Sequence, residues 1–216
     1  VPSDPLSALE AQIVACRRCA RLVAWRETTA RAGWWARPVP GFGDPSARVV
    51  VVGLAPSLRG ANQTGRMFSN DASARVLTRA LHAVGAASQP TSLGPGDGLV
   101  LSGVWLSAAC RCAPPANRPT ATELAACRPF LAAELAALPW RSAVALGAVA
   151  WATLADALGY ARAPFAHGAR RVDPEGRLLL ASYHPSPQNT NTGRLRPDML
   201  EAVLAEAIGY AGSATT

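Results

Sequence analysis

Four of the five cysteines in this sequence fall into two groups far apart along the chain. Cys16 and Cys19 have two residues between them, Cys112 follows a strand-like run, and Cys127 lies 15 residues further on, in a helix-like one. A single pair at that spacing arises easily by chance. A second pair flanked by Pro114 and Pro115 makes convergence of four thiolates on one metal site the better reading. Four thiolates suit zinc or an iron–sulfur cluster, and spacing does not choose between them. Cys110 is the fifth, and the alternation along its strand directs it inward as a buried, inert thiol.

A second set of reactive side chains sits where strands end. His184 follows an apolar run at 178–183 that is bounded by Arg177 on one side and by Pro185 and Pro187 on the other. Each proline removes a backbone donor and halts the ladder, which leaves His184 on a stiff loop at the carboxyl end of a strand. Ligands bind at that edge of open α/β sheets. The turn Gly53-Leu54-Ala55-Pro56-Ser57 closes another strand and offers backbone N–H groups to a developing anion, to which His184 would add a side-chain donor. Asp71, on a loop with Thr64, Phe68, Ser69 and Asn70, precedes an apolar run that begins at Ala72. A carboxylate there caps a helix, and a catalytic part is compatible with that cap. The plain alternative for His184 is that it merely caps a neighbour.

These side chains need a scaffold. Strands are expected at 48–54, where valines occupy both faces, and at 104–109, 143–146 and 178–183. Helices are expected at 72–84, at 120–137 behind a Thr120-x-x-Glu123 capping box, at 148–158 and at 197–208. Residues 6–26 show helical spacing interrupted by Cys16-Arg17-Arg18-Cys19, and 31–45 reads as an ordered loop. Strand and helix alternate four times, which implies an α/β fold: a three-layer α/β/α sandwich on a parallel sheet. At 216 residues, half of them apolar, the whole chain (1–216) is expected to form one domain.

Composition narrows the partner. The net charge of +7 suits a polyanion, and all 21 basic residues are arginine, which grips phosphate bidentately. There is no lysine. No apolar run approaches the roughly 20 residues of a membrane span and no basic-then-apolar pattern opens the chain, so a cytoplasmic protein is expected.

Taken together, Gly53-Leu54-Ala55-Pro56-Ser57 with Gly60, Gly65-Arg66-Met67-Phe68, Cys112-Ala113-Pro114-Pro115-Ala116-Asn117-Arg118-Pro119 and His184-Pro185-Ser186-Pro187-Gln188-Asn189 resemble the uracil-DNA glycosylase superfamily. Within it they are similar to the iron–sulfur branch, family 5, in motif order from residue 16 to residue 194. The resemblance implies a sheet of four parallel strands in the order 2-1-3-4. It also implies a 4Fe-4S cluster on Cys16, Cys19, Cys112 and Cys127, with Cys112 chosen over Cys110 because it directly precedes Ala113-Pro114-Pro115. The implied partner is DNA carrying uracil or another deaminated base, met at the nucleoid by a monomer with no membrane attachment. Asp71 would position water or stabilise the sugar cation. His184, with the backbone of Ala55 and Ser57, would hold the charge on the departing base. Phe68 would stack on that base and Asn117 would touch its edge. Ser186, Gln188 and Asn189 would meet the DNA backbone and the gap left by the flipped nucleotide, with Arg59, Arg66 and Arg194 on phosphates.

Two departures from the pattern matter. Leu54 and Ala55 stand where related families carry a polar residue, which leaves the water-activating group open, and Ser57 stands where family 5 usually has glycine. Room at Ser57 and Gly60 would admit hypoxanthine or mismatched thymine as well as uracil. Without lysine the chain has no side-chain amine for a Schiff base, so a monofunctional glycosylase is expected. The rival readings are a non-catalytic metal-cluster DNA-binding protein, which would not need Asp71 and His184, and a nucleotide-using enzyme, whose glycine fingerprint is missing.

Overall fold

Val49, Val50, Val51 and Val52 are each 2 % exposed or less, which requires a strand covered on both faces. In the computed structural model, which describes residues 5–213, they form β2 (Val49–Gly53) at the middle of the sheet. β2 pairs in parallel with β3 (Val104–Ala108) on one side and with β4 (Ser142–Leu146) on the other; β4 in turn pairs in parallel with β6 (Leu178–Ser182). Two short strands flank these four. β1 (Phe42–Gly43) runs antiparallel to β3, and β5 (Arg170–Val172) antiparallel to β6. The sheet is therefore mixed and six-stranded, in the order β1-β3-β2-β4-β6-β5, where the sequence suggested four parallel strands alone. The additions escaped notice because edge strands need neither length nor an apolar face: β1 is two residues of a proline-rich stretch, and Arg170 and Val172 of β5 are exposed.

Alternation along the strands divides the core. Val49, Val51, Leu106, Val144 and Leu180 point to one face, where they meet Leu77 and Leu81 of α4 (Ala72–Ala83) and Leu200 and Leu204 of α8 (Pro197–Ser213). Val50, Val52, Ala143, Ala145 and Leu179 point to the other, against Leu131 and Leu135 of α5 (Ala121–Ala137) and Leu154 of α6 (Ala148–Ala157). Three layers result. The Thr120–Glu123 capping box forms as expected, each side chain holding the other's backbone N–H. The last helix runs on to Ser213, beyond the expected end at 208.

The interrupted helical pattern near the start resolves into α1 (Pro5–Val14) and α2 (Ala20–Thr29), with Leu9, Ile13 and Leu22 packed on Phe130 of α5. A buried polar link fixes the end of β3. Glu134 of α5 accepts the Ser107 hydroxyl at 2.6 Å and pairs with Arg111, both partners almost fully buried. The short α3 (Ala61–Thr64), α7 (Pro187–Thr190) and a 3₁₀ turn at Pro115–Asn117 all lie in loops that follow parallel strands. Among the described residues no helix is long and apolar enough to cross a membrane. Residues 1–4 and 214–216 of the expected domain lie outside those described.

Candidate active site

The loops after β2, β3 and β6 open into one cleft of about 790 Å³. Ala55, Ser57, Phe68, Asp71, Asn117, His184, Ser186, Gln188 and Asn189 all line it. Their convergence follows from the parallel sheet, whose strands end on the same edge. The glycine that closes β2 has a steric reason: a Cβ on Gly53 would fall 2.4 Å from the ring of Phe68, so only glycine lets that ring lie across the strand end. Phe68 itself has φ +52° and Asn117 φ +55°, both in the left-handed region that ordinary side chains avoid. The Phe68 carbonyl is pinned by the Ser92 hydroxyl at 2.8 Å.

Asp71 is the N-cap of α4, and its Oδ1 accepts the Ala74 N–H at 2.7 Å. Its Oδ2 accepts the Ser57 hydroxyl at 2.5 Å. Across the cleft, His184 is held by its own backbone: Asn189 donates its side-chain amide to the His184 carbonyl at 2.8 Å. Burial pushes the His184 pKa below the usual histidine value, against the opposing pull of the Asp71 charge, so the ring is neutral at pH 7. The backbone N–H groups of Ala55 and Ser57 meet no acceptor among the described residues, and both residues line the cleft.

Behind this edge the cysteines meet. Cys16, Cys19, Cys112 and Cys127, together with Cys110, border one small cavity of about 20 Å³, and all are free thiols. Among the described residues no three Cys, His, Asp or Glu side chains are gathered to hold a single metal ion. The surroundings suit a larger anionic group. Arg111 is buried with its Nε and Nη1 unpartnered, its backbone N–H donates to Cys127 Sγ at 3.2 Å, and buried Arg26 donates to Cys112 Sγ at 3.5 Å. Burial pushes the Cys112 thiol up to about 12, and burial followed by the nearby Cys127 raises Cys19. A thiolate-ligated iron–sulfur cluster would accept the hydrogen bonds that Arg26 and the Arg111 backbone N–H already direct at Cys112 and Cys127.

The sequence matches the family model for the Uracil DNA glycosylase superfamily over residues 40–208. The chain belongs to that superfamily. It is 52 % identical over 210 residues to the Type-5 uracil-DNA glycosylase of Thermus thermophilus, covering 93 % of this chain and 95 % of that protein. A second Type-5 uracil-DNA glycosylase, from Pyrobaculum aerophilum, is 46 % identical across 93 % of this chain and 91 % of its own length. The Type-4 uracil-DNA glycosylase of the same organism is 30 % identical across 68 % of this chain and 71 % of its own length.

Two expectations drawn from the superfamily pattern need correction. Arg66 does not face phosphate: it is 6 % exposed, pairs with Asp97, donates to Ser92 Oγ at 3.1 Å and lies over the Phe42 ring. That partner holds the Asp97 carboxyl well below the usual carboxylate range. Arg194 and Arg118 are exposed at the cleft instead. Gly60 leaves no space for a base either, because a Cβ there would lie 2.4 Å from Ser57 Oγ and 2.8 Å from the Ser69 carbonyl. His167 went unnoticed in the sequence. Its Nδ1 accepts the Tyr183 N–H at 3.2 Å and its ring stacks on Tyr183, while Arg194 covers Tyr183 at 4.4 Å, yet nothing local to position 167 signals a tie to a strand end 16 residues later.

Proposed function

We propose that this chain is a monofunctional uracil-DNA glycosylase of base excision repair, which hydrolyses the N-glycosidic bond and leaves an intact abasic site. The observation that carries this reading is the meeting of Asp71, neutral His184 and the free N–H groups of Ala55 and Ser57 in one cleft. A non-catalytic DNA-binding protein would have no use for that convergence.

The target nucleotide must leave the duplex, at a cost of a few kcal/mol. Phe68 then stacks on the extruded base and Asn117 meets its edge. As the bond between the sugar C1′ and the base nitrogen breaks, its electron pair stays with the base. His184 and the Ala55 and Ser57 N–H groups donate hydrogen bonds to the negative charge that gathers there. Asp71 faces the opposite charge, on the sugar, and orients the water whose oxygen bonds to C1′ and which gives up one proton to solvent. Gln188 and Ser186 meet the DNA backbone and the vacated stack, while Asn189, already bonded to His184, acts by holding that loop.

Cys16, Cys19, Cys112 and Cys127 would hold a 4Fe-4S cluster whose contribution is structural, joining α1 and α2 to the loop and helix that follow β3. The same reading takes the chain as one domain acting as a monomer in the cytoplasm. It gives the cleft breadth toward hypoxanthine and toward thymine opposite guanine, through the small side chains Ala55 and Ser57. The test is base release from duplexes carrying uracil, hypoxanthine or mismatched thymine, by the parent and by Asp71→Ala and His184→Ala. Uracil release that falls about 100- to 1000-fold in the His184 variant supports the assignment. Undiminished release in both variants defeats it.

A further inference from the structure

We propose that Ser57 is the positioning residue for Asp71, a reading that rests on the function proposed above and adds a part to its machinery. The two oxygens of Asp71 are held by different elements. Oδ1 is bound to the first turn of α4 through the Ala74 N–H, and this single bond leaves the carboxylate free to pivot. Oδ2 is bound by the Ser57 hydroxyl at 2.5 Å, from the loop that follows β2. Two bonds from two elements fix both the position and the plane of the group, which one bond cannot do.

The surrounding backbone is fitted to this pair. A Cβ at residue 60 would lie 2.4 Å from Ser57 Oγ and 2.5 Å from Asp71 Oδ2, so the Gly60 main chain closes directly over the hydrogen bond. Ser57 is also the only hydroxyl side chain in the Gly53-Leu54-Ala55-Pro56-Ser57 turn, and its proton is given to Asp71 rather than to the cleft. A charge that stabilises a short-lived sugar cation must stand in place before the bond breaks, and a carboxylate that swings about its cap does not. The serine therefore acts on the reaction through the aspartate, and its removal should slow the chemical step without weakening DNA binding.

Single-turnover release of uracil from duplex DNA, measured over a range of enzyme concentrations, separates the two effects. Ser57→Ala and Ser57→Gly should each lower the maximal rate roughly 10- to 100-fold and leave the half-saturating concentration unchanged. In an Asp71→Asn background, Ser57→Ala should cost nothing further. Thermal midpoints near that of the parent exclude unfolding as the cause, and two variants of different size guard against one failing to fold. A parental maximal rate in both variants overturns the inference, as does a change confined to half-saturation or an equal loss with and without Asp71. If the parent itself releases no uracil, the proposed function falls and this inference with it. If the parent is active and the Ser57 variants match it, the inference alone falls.

Discussion

Asn189 reaches back five residues to bind the carbonyl oxygen of His184, so the loop that carries the histidine is closed by a residue of its own motif. That bond uses one N–H of the Asn189 amide and turns the side chain toward the histidine's backbone. Asn189→Ala should lower the maximal excision rate by about tenfold, as expected when a reacting group is slightly misplaced. Half-saturation by DNA should stay near the parental value. A large loss of DNA affinity at an unchanged maximal rate would return Asn189 to the DNA interface.

Stability should fall with acid in a window that His184 and His167 define. Burial lowers both pKa values relative to the ordinary value near 6.5. Well above pH 6.5 both rings are neutral whether the chain is folded or not. Below it the unfolded chain binds protons that the folded chain refuses, so stability is lost as pH drops from 6.5 through the lowered folded values. Thermal midpoints of the parent between pH 7.5 and 5, set against His184→Asn and His167→Asn, measure this directly. Each variant should flatten the slope, and a slope unchanged in both would assign the acid sensitivity elsewhere.

Iron content should follow the thiols that face the buried arginines. Cys112→Ala should lose iron and visible absorbance while Cys110→Ala retains both, because Cys112 Sγ receives the Arg26 donor whereas Cys110 Sγ gives its own hydrogen bond to the Cys112 carbonyl at 3.5 Å. Arg26→Met should also lose iron, since it removes the donor to Cys112 Sγ. Retention of iron by Cys112→Ala, with its loss from Cys110→Ala, would exchange the roles of the two residues.

Borohydride added during turnover should trap no covalent complex with DNA. The chain has no lysine to form the Schiff base, and arginine stays protonated. Strand breaks should appear only after alkali or a separate endonuclease. Nicking at the rate of base release would point to another amine.

What the sequence revealed and what it hid follow the range of the forces involved. The inner strands were legible because burial on both faces demands long apolar runs such as Val49 to Val52, and the cap at Thr120 because its two partners lie three residues apart. Edge strands β1 and β5 make no such demand. Arg66 looked like a phosphate ligand because its partner, Asp97, lies 31 residues away and meets it only in the folded chain. Gly60 looked like an opening for the same reason: the atoms that crowd it belong to Ser57, Ser69 and Asp71, and only the fold brings them there.

The left-handed backbone at Phe68 and Asn117 has a bearing on how this protein could evolve. Each such residue costs about 1 kcal/mol or more, whether or not DNA is present. The cleft is thus a standing deficit in folding stability, carried by Phe68, Ala116 and Asn117, two of which are proposed above to meet the base. Glycine at either position would relieve the strain, and selection for heat resistance alone would favour it. On the function proposed above, the aromatic ring at 68 and the amide at 117 persist under selection for recognition, so a lineage released from repair duty should lose these two residues before it loses its core.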